Sequence, residues 1–176
     1  SPLLHDPVER VREASLVTIA HVGDHAAYPQ LVESLKDPSP QIQATAVTVL
    51  AGLGKKVIPM VHPQLDSSDA RLRKMATVIL GRINRREYGS LVTAQIQANL
   101  LQMAENSGYL DALQPIHSYP SIGILQNVFR EENGRLADEI FFLLTAVQDA
   151  ASIAVIRESL GSDVERVRAN ALEALE

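Results

Sequence analysis

The pentapeptide Val-Glu-Arg-Val-Arg occurs twice in this chain, at 8–12 and at 164–168. An internal repeat constrains a fold more than any local propensity, because one small unit of structure must then recur. Anchoring on Val11 finds further copies at Ile42, Leu72 and Leu136, and the series closes at Val167. The steps are 31, 30, 64 and 31 residues. The step of 64 reads as two repeats of 32 with a degenerate copy between them.

Each anchor opens the same helical pattern. Four residues on stand Ser15, Ala46, Ala76, Ile140 and Ala171; eight on stand Ile19, Leu50, Leu80, Leu144 and Leu175; eleven on stand Val22, Leu53, Ile83 and Val147. Spacings of 4, 8 and 11 fall on one face of a 3.6-residue helix. Twelve on come Gly23, Gly54 and Asn84, residue types that tolerate the left-handed conformation at helix ends. A second helix follows at 28–36, 55–65 and 150–160, each with an apolar stripe. Asp37-Pro38, Asp66-Ser67-Ser68 and Gly161-Ser162-Asp163 supply turn and cap chemistry for the next unit. In 85–130 the pattern loosens. There the spacing predicts a helix over 91–105 striped by Val92, Ile96, Leu100 and Met103, a short segment at 109–116, a loop at 117–121 and a helix over 122–132. That last helix either ends at Gly134 or runs on into the one holding Leu136. No stretch shows sustained alternation, so no strand is predicted.

A helix pair of about 31 residues buries its apolar face only by stacking on neighbours. The expected fold is therefore an all-α solenoid of about five helix pairs plus a terminal helix, one domain spanning 1–176. Its regular repeats lie at 6–84 and 131–176 and a degenerate one at 85–130. The composition agrees: 46% hydrophobic and 21% charged residues suit a packed chain and not a disordered one. The longest apolar run, 140–147 with Thr145 inside it, is far short of the roughly 18–20 residues of a spanning helix. The absence of Cys removes disulfides and thiolate chemistry. A net charge of −5 gives no reason to expect nucleic acid as a partner. The opening Ser1-Pro2 without Met and the helical pattern running to Glu176 read as cuts through a longer polypeptide.

Asp6-Pro7 through Ala14, Asp37-Pro38 through Ala46, and Ser162-Asp163-Val164 through Ala171 resemble HEAT repeats of the short bacterial kind. Arg130-Glu131-Glu132, Ile140 through Leu144 and Arg168 through Leu175 are similar to HEAT regions attached to bacterial transporters of the ATP/ADP-carrier and major-facilitator type. The first resemblance implies a non-catalytic protein-interaction scaffold. The second implies a cytosolic regulatory module, cytoplasmic and tethered at the membrane through the rest of its chain. The alternative is a HEAT-like enzyme, such as a bilin-lyase-type subunit acting with a partner chain.

The residues offer little catalytic chemistry. His21 and His25 lie across Gly23 with no third ligand nearby, and no His-Glu pair occurs. Glu131/Glu132 and Asp138/Glu139 are adjacent on a helix and so diverge. No cofactor is expected. Arg12, Arg73 and Arg168 share one repeat position, interrupted by Gln43 and Ala137, and are suited to bidentate pairing with inter-repeat acids such as Asp37 and Asp66. Two binding surfaces are expected. One is the concave face lined by second helices, with Gln30, Glu33, Lys56, Met60, Gln64, Gln95 and Arg157 as candidates. The other is basic: Arg71, Arg73, Lys74, Arg82, Arg85 and Arg86 stand in 71–86 without an acid, leaving the remainder of the chain at −11. Such a spot suits an acidic protein, another domain of the same chain or an anionic membrane surface.

Overall fold

A computed structural model describes residues 2–116, 119–148 and 150–160. Among these residues the secondary structure is helical throughout, with no strand. The chain divides into two compact units, Ser1–Gly89 and Ser90–Glu176.

The first unit holds α1 (Glu9–Val22), α2 (Tyr28–Glu33), α3 (Pro40–Leu53), α4 (Ile58–Val61) and α5 (Ala70–Ile83). Helix α1 packs on α3 and α3 on α5, while α2 packs on α4. First helices thus form one layer and second helices the other, the stacking expected of the 31-residue period. The core between them contains Leu16, Tyr28, Leu31, Leu35, Ile42, Leu50, Val57, Val61, Ile79 and Leu80, all fully buried. Each such aliphatic side chain contributes roughly 1.5–3 kcal/mol by leaving water. The small residues four past the anchor, Ser15, Ala46 and Ala76, are also buried, which lets neighbouring backbones approach. The polar member is satisfied locally: Ser15 Oγ donates to the Val11 carbonyl at 2.7 Å.

Gly23 ends α1 in the left-handed region (φ 71°), its N–H donating to the Ile19 carbonyl at 3.1 Å. Gly54 also has a positive φ, 66°. Asn84 does not follow them: its φ is −148°. Helix α6 begins at once, and Asn84 serves as its opening residue. The Asn84 carbonyl accepts from Glu87 and Tyr88 N–H groups at 3.2 and 3.0 Å, and its Nδ2 donates to Glu87 Oε2 at 2.8 Å. The stretch Pro40–Asp66 is long and apolar enough to cross a membrane by length and composition. Here it is folded in two at Gly54, with Ile42, Ala46, Val47, Leu50, Val57 and Val61 buried in this unit's core.

The second unit is built on two long helices, α6 (Arg85–Leu113, which begins in the first unit) and α7 (Pro120–Leu144), followed by α8 (Ala150–Leu160). Segments 91–105 and 109–116, expected apart, belong largely to one helix, which begins at Arg85 and runs through Gly108. The 122–132 helix runs through Gly134 without a break. One Gly in a helix interior costs only about 1 kcal/mol, less than the hydrogen bonds a break would forfeit. The 64-residue step holds the long helix α6 and the first part of α7. The stripe also differs: Leu100 is exposed and Asn99 is buried. The second copy of the pentapeptide, with Arg168, Val167, Ala171 and Leu175, lies outside the described residues, as does His117.

Candidate functional site

The junction between repeats is the most strongly specified polar feature. At the position of Asp6, Asp37 and Ser67 a side-chain oxygen accepts an N–H two residues on: Val8 at 2.8 Å, Ser39 at 2.8 Å and Asp69 at 3.1 Å. Six residues after that position, Arg12, Gln43 and Arg73 donate back to the same residue's carbonyl, at 2.9, 2.7 and 2.6 Å. Gln43, which breaks the arginine series, performs the same service, because an amide also reaches one carbonyl. Arg12 does more. Its Nε and Nη2 form a fork on Asp37 of the next repeat, at 2.8 and 3.0 Å. Arg73 instead spends its second contact on the Ser68 carbonyl, at 3.0 Å. Burial acts to raise the Asp37 carboxyl, but the Arg12 fork and the Ser39 N–H outweigh it and hold the group below the usual carboxylate range.

The candidate interaction surface is the outer side of the second-helix layer. Gln30, Glu33 and Lys56 are exposed there, and Met60 and Gln64 are half-buried. Glu33 carries Lys36 at 3.2 Å, an exposed pair. Gln95 and Arg157, expected on the same face, belong to the second unit. Gln95 Nε2 donates to Asn99 at 3.1 Å, and Arg157 pairs with Asp138 and lies 5.9 Å from the Phe141 ring centroid. Beside Arg157 an open groove of about 560 Å³ is lined by Phe141, Phe142, Thr145, Ile153 and Ala154.

The basic residues do not make one spot. Arg71, Arg73 and Lys74 open α5, Arg82 closes it, and Arg85 and Arg86 open α6. Eleven residues of helix put Arg71 and Arg82 about 16 Å apart. Arg71, Arg73, Arg85 and Arg86 are exposed, while Lys74 and Arg82 are half-buried. Burial lowers the Arg82 guanidinium below its ordinary value. The helix period sets this separation, which charge counting along the sequence cannot register.

Within each adjacent pair the acids do not converge: Glu132 and Glu139 lie on Arg135, and Asp138 on Arg157. Among the described residues no group of three or more His, Asp or Glu could hold a metal ion.

Sequence reasoning missed the second unit's seam. On α6 the sheltered positions are Val92, Ile96, Asn99, Met103, Asn106, Leu110 and Leu113; on α7 they are Ile122, Gln126, Phe129, Asn133, Leu136, Ile140 and Leu143. Both series alternate steps of 4 and 3, the heptad period of paired helices. Asn106 Nδ2 donates to Asn133 Oδ1 at 2.9 Å, Asn99 Nδ2 to Glu139 Oε2 at 3.3 Å, and the Tyr109 and Phe129 rings stack at 5.3 Å, so the helices run antiparallel.

Residues 28–107 match the family model described as HEAT repeats. No curated protein and no solved structure matches the chain significantly. The match spans α2 to α5 and most of α6, and together with the two-layer stacking of the first unit it supports a HEAT-repeat fold.

Proposed function

We propose that this chain is a non-catalytic protein-interaction module whose binding face is the second-helix layer of its first unit. The observation that carries this reading is the division of labour between the two layers. The inter-repeat locks sit at the first-helix junctions, whereas the exposed Glu33 and Lys56 lie along the second-helix layer away from those locks, Glu33 in an exposed pair with Lys36. Extended faces of stacked helices serve as binding surfaces in repeat proteins. The partner is another protein or another domain of the same polypeptide. The context we favour is regulation of a membrane transporter from the cytoplasmic side, with the exposed Arg71, Arg73, Arg85 and Arg86 facing an acidic partner or the anionic leaflet. The enzyme alternative gains no support from a site, since function has to be argued from one.

The test places a photo-crosslinking residue at Gln30, Lys56 or Gln64, and as controls at Glu9 or Thr48 on the first helices. The expected result is adducts in cells at the second-helix positions only. Adducts from the controls alone would overturn the reading. For the basic residues, Arg85→Gln with Arg86→Gln should weaken binding to phosphatidylserine vesicles, and 0.5 M salt should do the same, because exposed charges are screened over about 8 Å at physiological ionic strength. Unchanged, salt-independent binding would remove the leaflet from the account.

A further inference from the structure

The seam of the α6–α7 hairpin contains more polar residues than a single pairing uses. Asn99, Asn106 and Gln126 are 5%, 3% and 6% exposed. The Asn106–Asn133 layer is satisfied, and Asn99 reaches past the seam to Glu139. Gln126 Nε2 is buried with no hydrogen-bond partner. An orphaned buried amide is costly and needs a reason.

Continuing the register set by Asn106 and Asn133 places Leu113 opposite Gln126, Leu110 opposite Phe129, Met103 opposite Leu136 and Asn99 opposite Ile140. Two of these four layers set a polar group against an apolar one. Sliding α7 by one heptad toward the start of α6 changes every partner. Asn106 then meets Gln126, Asn99 meets Asn133, Met103 meets Phe129, Leu110 meets Ile122 and Ile96 meets Leu136. In these layers polar groups face polar groups and apolar face apolar. The opposite slide does the reverse, setting Asn106 against Ile140 and Asn133 against Leu113. The favourable slide places Pro120 level with Ala112, so it leaves the two helix ends side by side, at the distance of about 8–10 Å that separates paired helices.

We infer that the α6–α7 hairpin is a two-register device: the orphaned Gln126 and the heptad-spaced Asn99, Asn106 and Asn133 define a second antiparallel pairing one heptad from the first. The slide moves α7 by about 10 Å along α6. It carries with it α8, whose Ile153 and Ile156 pack against Phe141 and Leu144. A partner that prefers one register thereby shifts the hairpin as a whole, because a ligand moves an equilibrium only through its differential affinity for the two states.

The chain has no Cys, so introduced thiols report without background. Three double variants share Leu110→Cys: with Phe129→Cys for the described register, with Ile122→Cys for the slid one, and with Leu136→Cys for the opposite slide. A short bis-alkylating thiol crosslinker should join the first pair best. It should join the second about tenfold more than the third, since the third register buries unmatched amides. Adding Gln126→Leu should cut the second yield to the level of the third. Circular dichroism and thermal melting of each variant certify that each preparation is folded. Because these substitutions touch the seam, spin labels at the exposed Ala94 and Glu131 give an independent reading. A second, shorter distance beside the main one is expected. Equal yields from the second and third pairs, or a single spin-label distance, would overturn the inference.

Discussion

At the residue scale the repeat is held by one small exchange of hydrogen bonds. A short side chain at position 6, 37 or 67 accepts an N–H two residues ahead, and a long one at 12, 43 or 73 returns to its carbonyl. This identifies what Arg12 does in two separable parts. Arg12→Gln keeps the return to the Asp6 carbonyl, as Gln43 does for Asp37, and loses only the fork. Arg12→Leu loses both. The melting midpoint should fall in that order, Leu lowest, by about 2–4 °C for the larger change. The fork also sets a pH dependence. Asp37 is held below its ordinary range, so in the folded state it stays ionised to lower pH than when unfolded. Its stabilisation is complete above the ordinary carboxylate pKa of about 3.9 and is lost as pH falls through the lower folded value. Urea titrations across the acid range should show this loss in the parent chain, and Asp37→Asn should flatten it. An unaltered acid limb in Asp37→Asn would assign the effect to other carboxylates.

At the element scale, glycines of opposite effect stand in equivalent-looking places. Gly54 has φ 66° and ψ −146°, a conformation nearly closed to other residues, and nothing lies within 4 Å of where a Cβ would stand. Gly54→Ala should therefore destabilise through backbone strain alone, by about 1–3 kcal/mol. Gly134 also has open space but sits inside α7, and Gly134→Ala should stabilise by about 1 kcal/mol. Urea unfolding of both variants measures the two signs. These positions also show how far the elements were legible. Gly23 and Gly54 end helices as their spacing from the anchors foretold. Asn84 also ends α5, though at φ −148° and with α6 starting at once; Gly134 ends nothing, because a helix continues wherever packing outweighs one weak breaker. The α6 stripe was misread for a related reason. A 3.6-residue template moves from Ile96 to Leu100, whereas the heptad seam moves to Asn99, and a search for apolar residues passes over a buried Asn. Alternating 4 and 3 spacing on both helices was the available signal.

At the scale of the whole molecule, the period foretold the layered unit but not the long hairpin, since Arg85–Leu113 and Pro120–Leu144 follow a repeat of seven and not of 31. The binding surfaces were legible only as compositions. The second-helix residues Gln30, Glu33 and Lys56 are exposed as expected, while the basic run is divided by the length of α5, a distance that no count of charges contains. The central claim is that helix pairs of about 31 residues stack through their first helices, with α3 enclosed between α1 and α5. Native-state amide hydrogen exchange on the 176-residue chain tests it most directly, because protection follows cooperative packing. The slowest amides should lie in α3 and in α5 around Val78 to Leu80, where side chains are fully buried. Those of α1, whose Val17 and Val22 are exposed, should exchange faster although α1 and α3 have the same length. Equal protection of α1 and α3, or protection that follows helix length and peaks in α6, would contradict the stacked arrangement.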